Sequence, residues 1–126
     1  LDRRAEEEIL PLAQAHGVGV IARGPVAGGL LSENKPADKG FLDYSVEEVV
    51  RLREALRPLV TPQRSLTQLA IRFALSQPAV AAVIPGASSA AQLDHNLDAA
   101  AIPPLTDEEI AAISSVSKAN RYADHR

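Results

Sequence analysis

The sequence predicts an α/β fold that contains two parallel strands flanked by helices. Two short, nearly continuous apolar runs, residues 17–23 and 80–84, have the length and composition of strands buried on both faces. The segments around these runs instead place apolar residues three and four positions apart, which is the spacing of amphipathic helices. Helices therefore alternate with strands along the chain, and this order is typical of a parallel sheet.

The first part of the chain is predicted to contain one helix, one strand and a long loop. Asp2 precedes a helix over residues 3–16, whose early glutamates suit the positive end of the helix dipole. A histidine and a glycine end that helix, and the apolar run over 17–23 follows it as the first strand. Residues 24–44 carry scattered glycine, proline, serine and asparagine, so they are predicted to form a loop.

Four capping boxes predict the helices of the remaining chain, because a serine or threonine is followed three residues later by glutamate or glutamine. The boxes are Ser45–Glu48, Ser65–Gln68, Ser89–Gln92 and Thr106–Glu109. They predict helices over residues 46–57, from 66 to a stop at Gln77 and Pro78, from 90 to about 97, and from 107 to about 116. The second strand lies between the second and third of these helices, and residues 117–126 are predicted to be a polar tail.

Two parallel strands form a poor sheet, because each leaves an edge without a pairing partner. The chain also begins without methionine and contains none. We therefore expect its 126 residues to be one segment of a single larger domain, incomplete on its own. The missing strands are expected to come from another stretch of chain or from self-association.

Composition excludes several classes of protein. A net charge of −3 and an isoelectric point of about 5.6 leave no basic surplus for a nucleic-acid backbone. The chain has no cysteine, which excludes disulfides, zinc–thiolate sites and a cysteine nucleophile. No apolar run approaches the ~20 residues of a membrane span, so we expect a cytoplasmic protein without membrane contact. His16, His95 and His125 lack ligand spacing, so no metal site is predicted.

Two glycine motifs match nucleotide-binding patterns by their letters alone. Residues 17–22 read G-x-G-x-x-A, but these glycines lie within a predicted strand and do not open a helix, which disfavours a Rossmann site. Gly24 and Gly29 have the spacing of P-loop glycines. Because Leu30 and Leu31 stand where lysine and serine or threonine are required, an ATPase is rejected.

Two loops that follow the predicted strands carry a functional signal. Residues 23–29 follow the first strand, and residues 85–89 follow the second and run straight into a helix. In parallel α/β folds, ligands lie outside the carboxyl ends of the strands. Glycines permit a close approach of the backbone, and free N–H groups at a helix start attract phosphate. Two ordinary turns would give the same pattern, so both interpretations stay open at this point.

Three segments together resemble the aldo/keto reductase family. Residues 9–31 (ILPLAQAHGVGVIARGPVAGGLL) resemble the seventh-strand region of that family, and residues 69–78 (LAIRFALSQP) resemble the helix before its eighth strand. Residues 83–97 (VIPGASSAAQLDHNL) are similar to its adenosine-binding segment. The resemblance covers essentially the whole chain. It implies the C-terminal portion of a TIM (β/α)8 barrel, with strands 7 and 8, from an NADPH-dependent reductase of aldehydes or ketones.

The resemblance also implies a set of residues that bind NADP(H), and the departures described below extend this expectation to NAD(H). The set comprises Arg23 at the nicotinamide ring; Gly24, Val26 and Gly28 at the pyrophosphate; and Gly86, Ser88, Ser89, Gln92 and Asn96 at the adenosine and its 2′-phosphate. The catalytic Asp, Tyr, Lys and His of the family lie on the first half of the barrel. No catalytic residue is therefore expected in this chain, and the chain alone is expected to be inactive.

The chain departs from the family pattern at two places. His95 stands where many relatives carry a glutamate that bonds the adenine amino group. Ser88 and Ser89 stand where relatives often carry a cationic residue, and no lysine or arginine lies between Arg72 and Lys118. These departures predict that NADPH is preferred over NADH by less than is usual for the family.

Two further hypotheses stay open beside the enzyme. One is a non-catalytic subunit that senses nicotinamide nucleotides, and the other is a structural remnant of the same barrel that binds nothing. A tyrosine and a lysine at upstream strand ends would favour the enzyme, and their loss would favour the sensor.

Overall fold

A computed structural model describes residues 1–118, in which two strands lie beside five α-helices. The strands are β1 (Val20–Arg23) and β2 (Val80–Ile84). The helices are α1 (Ile9–Ala15), α2 (Val46–Leu56), α3 (Leu66–Leu75), α4 (Ala90–Asp98) and α5 (Asp107–Val116). Short 3-10 turns occupy Arg4–Glu6, Ala27–Gly29, Arg57–Leu59 and Ala99–Ala101. Within this described stretch, no helix combines the length and apolarity needed to cross a membrane.

The two strands pair in parallel, as the alternation of helices and strands predicts. The register joins Val20 to Val80 and Arg23 to Ile84, with one irregularity directly after Val20. The helix α3 precedes β2 in the chain and packs against it. Because paired parallel strands run in the same direction, their carboxyl ends lie side by side at one edge of the sheet.

The prediction that both strands are buried on both faces is wrong for the described chain. Exposure alternates along β1, where Val20 and Ala22 are half-buried and Ile21 is 60% exposed. Ile84, at the end of β2, is 55% exposed. A continuous apolar run predicts packing partners on both faces. Residues 1–118 supply helices for one face only, so the other face keeps its apolar side chains in contact with solvent.

The hydrophobic core lies between the loop after β1 and the helices α2, α3 and α5. Leu30, Val49 and Leu69 are each at most 1% exposed. Tyr44 is buried among them, and its hydroxyl accepts a hydrogen bond from the Lys118 N–H. The Tyr44 side chain therefore has a packing role. The core is therefore built by helices and a loop, beside the sheet.

The N-terminal helix is shorter than predicted. A 3-10 turn (Arg4–Glu6) and α1 (Ile9–Ala15) replace the single helix expected over residues 3–16. The physical reason is Pro11, which has no N–H to donate and would clash with the Glu7 carbonyl in a continuous helix. Starting α1 at Ile9 places this proline in the first turn, where it is tolerated.

Three of the four predicted capping boxes form completely, those that begin at Ser45, Ser65 and Thr106. The fourth forms only in part. The Ser89 hydroxyl accepts from the Gln92 N–H at 3.2 Å, which caps α4. The Gln92 side-chain Oε1 does not accept from the Ser89 N–H and instead accepts from the N–H of Ser88 at 2.7 Å. The loop before α4 is therefore held by Gln92.

The first residues of the polar tail predicted over residues 117–126 are hydrogen-bonded to the preceding helices and loop. Lys118 donates its N–H to the Tyr44 hydroxyl, its ammonium pairs with Glu48, and that ammonium lies 5.0 Å from the centre of the Tyr44 ring. The remainder of the predicted tail, residues 119–126 with its histidine, lies outside the described residues.

Candidate functional site

The two loops singled out by the sequence leave the sheet side by side. Arg23 and Ile84 are the last residues of their strands and are register partners. Gly24 and Pro85 therefore begin neighbouring loops at the same edge. Arg23 is exposed, which leaves its guanidinium free to meet a ligand at that edge. We call this region, with the loops over 24–31 and 85–89 and the start of α4, the strand-end site.

The first loop has the open glycines that a close backbone approach requires. Gly24 and Gly28 have φ of +64° and +66°, and nothing lies within 4 Å of where a Cβ would stand at either position. Gly29 differs, since a Cβ there would lie 2.5 Å from the Lys35 side chain. Val26 is half-buried and packs against the core, so it contributes mainly its backbone to the loop surface.

Ala27 is a residue of this loop that the sequence analysis missed. Its φ of +49° is in the left-handed region, although the steric clash of the alanine Cβ there costs about 1–2 kcal/mol. Ala27 is buried, and its N–H donates to the Gly24 carbonyl at 2.9 Å. Packing and this hydrogen bond impose the conformation. Alanine carries no sequence signal for a left-handed backbone, so only the structure could reveal it.

The second loop is held by side chains from α4. Asn96 is 9% exposed and donates from Nδ2 to the Gly86 carbonyl at 3.2 Å. The Ser88 hydroxyl donates to the Gln92 side-chain Oε1 at 2.9 Å, the same oxygen that accepts from the Ser88 N–H. Gly86 itself is exposed, with nothing within 4 Å of a Cβ position. Three predicted site residues therefore shape the loop, and its glycine leaves space above it.

The start of α4 leaves hydrogen-bond donors facing outward. The Ser89 hydroxyl accepts only the N–H of Gln92, so no group among the described residues accepts from the N–H groups of Ala90 and Ala91. Ser88 and Ser89 are both exposed beside them. Free N–H groups and the helix dipole at such an end attract an anion such as phosphate. These donors are neutral, so the attraction lacks a local cationic side chain.

His95 lies next to Asn96 but is bonded away from the strand-end site. Its Nε2 lies 2.9 Å from the Ser65 hydroxyl at the start of α3. Its backbone carbonyl accepts from the Gln68 side chain at 3.2 Å. The sequence predicts only a capping box at Ser65 and Gln68, because the contact with His95 joins residues about thirty positions apart.

A cleft of about 840 Å³ lies apart from most of the strand-end site. It runs between residues 1–10, the half-buried face of β1 and the apolar side of α3, and the first loop of the strand-end site lines it with Gly24, Pro25, Ala27 and Leu31. None of the predicted residues from the second loop or α4 lines it. The cleft therefore shares the first loop with the strand-end site but does not include the second loop or α4. No group of three or more histidine, aspartate or glutamate side chains within residues 1–118 is arranged to hold a metal ion.

The parallel strands and the loops at their carboxyl ends define the class of protein, a portion of a parallel α/β barrel. Comparison with known proteins identifies its family. The sequence pattern of the aldo/keto reductase family matches residues 1–118, so the chain belongs to this family. It is 47% identical over 133 residues to an uncharacterized oxidoreductase, YqkF, of Bacillus subtilis (strain 168). That alignment covers 99% of this chain and 42% of the relative.

Other relatives carry different descriptions. A probable voltage-gated potassium channel subunit beta of Oryza sativa subsp. japonica is 34% identical over 141 residues, covering 98% of this chain and 43% of that protein. The chain therefore spans less than half the length of the curated relatives it matches. The family itself is one of oxidoreductases, to which the sequence resemblance pointed.

Solved structures agree with this assignment. The aldo-keto reductase AKR11C1 from Bacillus halodurans, in its apo form, superposes with a TM-score of 0.87 at 45% identity. The superposition covers 100% of this chain and 43% of that structure. Its holo form also superposes with a TM-score of 0.87, at 44% identity. The predicted fold class, a portion of a TIM barrel that is incomplete on its own, is confirmed.

Proposed function

We propose that this chain forms the nicotinamide-cofactor-binding portion of an aldo/keto reductase that binds NADP(H), and also NAD(H), and reduces aldehydes or ketones. The observation that supports this most directly is the pairing of Arg23 with Ile84. That pairing brings two glycine-bearing loops to one edge, and the second loop leads into a helix start with free donors. An elongated, anionic dinucleotide suits such an edge, since phosphates lie well against open backbone and helix N-termini.

Each part of the strand-end site fits one part of the cofactor. Arg23 is exposed and cationic at the end of β1, beside the expected position of the nicotinamide ring. The pyrophosphate would lie against Gly24 and Gly28 and the backbone of Val26, where no Cβ intrudes at either glycine. The adenosine end would lie on the second loop and α4. Its residues are Gly86, Ser88, Ser89, Gln92 and Asn96.

The described residues bind and orient, and they supply no proton donor for carbonyl reduction. When bound, the reduced nicotinamide supplies a hydride for a carbonyl carbon. The tyrosine that the family resemblance implies as acid belongs to the remaining barrel. In this proposal the complete protein carries out the reaction, and this portion provides the affinity for the cofactor.

A pair of glycine variants tests cofactor binding at the first loop. Gly24 and Gly17 have nearly the same φ, +64° and +65°, and both are open to solvent. Asparagine tolerates this conformation, so Gly24→Asn and Gly17→Asn are expected to have similar, small effects on folding. In the protein that contains this chain, NADPH binding is followed by the change in its fluorescence. We expect Gly24→Asn to raise the Kd by about tenfold, equivalent to ~1.4 kcal/mol, and Gly17→Asn to leave it unchanged.

The outcomes separate the proposed function from its alternatives. Equal NADPH affinities of the two variants would contradict a site at the first loop, and a wild-type protein that binds neither NADPH nor NADH would favour the structural remnant. The similarity to a potassium channel subunit beta favours the sensor as the second candidate. A sensor would bind the cofactor without turning over carbonyls, so the same protein is assayed with NADPH and a broad aldehyde panel.

A further inference from the structure

The polar side chains buried among residues 1–118 belong to one hydrogen-bonded set. Thr67 and Gln68 are each 7% exposed, and Asn96 is 9% exposed. All three take part in hydrogen bonds that run from the loop after β1, through the start of α3, to the loop after β2. Burying polar groups is unfavourable unless they are paired, so such a concentration indicates a shared role.

The first link joins the loop after β1 to the start of α3. The Glu33 carboxylate accepts from the N–H of Leu66 and, at 3.3 Å, from the N–H of Thr67. It also accepts from the Thr67 hydroxyl at 3.1 Å. The Ser65 hydroxyl caps only the N–H of Gln68. Glu33 therefore satisfies the two helix donors that the local capping box cannot reach, and its charge suits the dipole at this end.

The second link joins α3 to α4, and the third joins α4 to the loop after β2. Ser65 meets the His95 ring at 2.9 Å, and the Gln68 side chain donates to the His95 carbonyl at 3.2 Å. The next residue, Asn96, donates to the Gly86 carbonyl at 3.2 Å. Five side chains on three elements therefore connect the two loops of the strand-end site. We call them the polar bridge, formed by Glu33, Ser65, Gln68, His95 and Asn96.

We propose that the polar bridge positions the two cofactor loops relative to each other, an inference that rests on the proposed function for its ligand. Displacing Glu33 would leave two N–H groups and a hydroxyl at the start of α3 without acceptors. Displacing His95 would leave the Gln68 Nε2 without its acceptor, and the Ser65 hydroxyl would keep only the bond from the Gln68 N–H. Glu33 of the first loop and His95 of α4 bond to the same end of α3, and α4 holds the second loop through Asn96, so movement of one loop is resisted by the other. Glu33, Ser65, Gln68 and His95 are positioning residues in this proposal.

Hydrogen–deuterium exchange without cofactor tests the coupling directly. Glu33→Ala, in the protein that contains this chain, is expected to accelerate exchange over residues 24–44 and also over residues 85–89, which Glu33 does not contact. Glu33→Gln keeps one acceptor oxygen and is expected to restore most of the protection. Faster exchange confined to residues 24–44 would overturn the proposal. This readout needs no ligand, so it stands even if the protein binds no nicotinamide cofactor and the proposed function fails.

A matched pair of caps tests the consequence for binding. Ser65 and Thr106 both begin complete capping boxes, but only Ser65 contacts His95. Both Ser65→Ala and Thr106→Ala are expected to lower the Tm, since each removes one helix cap, and Ser65→Ala should lower it more because the bond to His95 is lost as well. NADPH titration is expected to show a Kd raised about fivefold by Ser65→Ala, and unchanged by Thr106→Ala, because only Ser65→Ala removes the half-buried bond to His95 that joins α3 to α4. Equal changes in Kd would assign Ser65 a merely structural role and overturn the proposal.

Discussion

Replacing Ser89 with arginine is expected to widen the preference for NADPH over NADH. Ser89 is exposed at the start of α4, beside the free N–H groups of Ala90 and Ala91. In the proposed site this position meets the 2′-phosphate, which is absent from NADH. No lysine or arginine lies between Arg72 and Lys118, so the wild-type chain offers only neutral donors locally. A guanidinium would add charge to a contact that the helix end already favours.

The magnitude follows from the difference between neutral and charged hydrogen bonds. A neutral bond contributes about 0.5–1.5 kcal/mol, and a bond to a charged group about 1.5–3 kcal/mol. The arginine should therefore multiply the preference for NADPH by about tenfold, rising toward a hundredfold if its contact is bidentate. The Ser89 hydroxyl also accepts from the Gln92 N–H at 3.2 Å. Losing that cap lowers the free energy of unfolding by about 1 kcal/mol, and this cost is common to both cofactors.

Fluorescence titration of NADPH and NADH against wild type and Ser89→Arg measures the ratio of the two affinities. Ser89→Asp is the matched control, because aspartate caps a helix as well as serine and brings the opposite charge. It is expected to reduce the preference for NADPH by about fivefold, since one charge pair at ~4 Å in water is worth ~1 kcal/mol. A wild-type preference of about a thousandfold, equivalent to ~4 kcal/mol, or an unchanged ratio in Ser89→Arg, would refute the reasoning.

Three further predictions concern stability and assembly. Leu69→Ala, at a core position 1% exposed, is expected to lower the free energy of unfolding by about 2–5 kcal/mol in urea denaturation, and a loss below about 1 kcal/mol would contradict the assigned core. The hydrogen bond from Arg64 holds the pKa of Glu109 in the folded protein below its usual value of 4.5. The stabilisation from this pair is therefore complete above pH 4.5, and it is lost as the pH falls through the lowered pKa of the folded state. Thermal melts at several pH values should show a smaller acid-dependent loss of Tm in Glu109→Gln than in wild type. Identical pH profiles of the two proteins would show that the Arg64–Glu109 pair does not cause the loss. The chain produced alone is expected to self-associate in sedimentation and to reduce no aldehyde with NADPH, whereas Ile21→Ser, at an exposed strand position, should increase its monomeric fraction. A monomeric wild-type chain that unfolds cooperatively, or one that turns over an aldehyde, would contradict this expectation.

Features that depend on neighbours in the chain were predictable from the sequence. Ser45, Ser65 and Thr106 begin their helices as predicted, because each capping partner lies three residues away and no distant group is needed. The two strands and the loops after them were also predicted, since apolar runs bounded by glycine and proline report local conformation, but β1 begins at Val20 and not at residue 17. The N-terminal helix was predicted to be longer than it is, although Pro11 disfavours a continuous helix at this place in the sequence.

Features that depend on distant contacts were not predictable. Glu33 carries no motif, yet it caps α3 from 33 residues away. His95 was compared with a residue that faces adenine, and its ring instead contacts Ser65. Ala27 has a left-handed backbone because the loop packs it into the core. In each case the deciding partner is far along the chain, and only folding brings it near.

The sequence by itself determined the helix starts, the two strands and the places where the chain leaves them, because these follow from contacts within a few residues. The sequence also identified the family, since the motifs at the two strand ends are contiguous stretches of chain. Only the tertiary structure decided that Arg23 and Ile84 are neighbours, that Ile21 faces solvent in this portion of the barrel, and which side chains join the two loops. Those properties depend on register, packing and burial, and they arise only when segments distant in sequence share one surface.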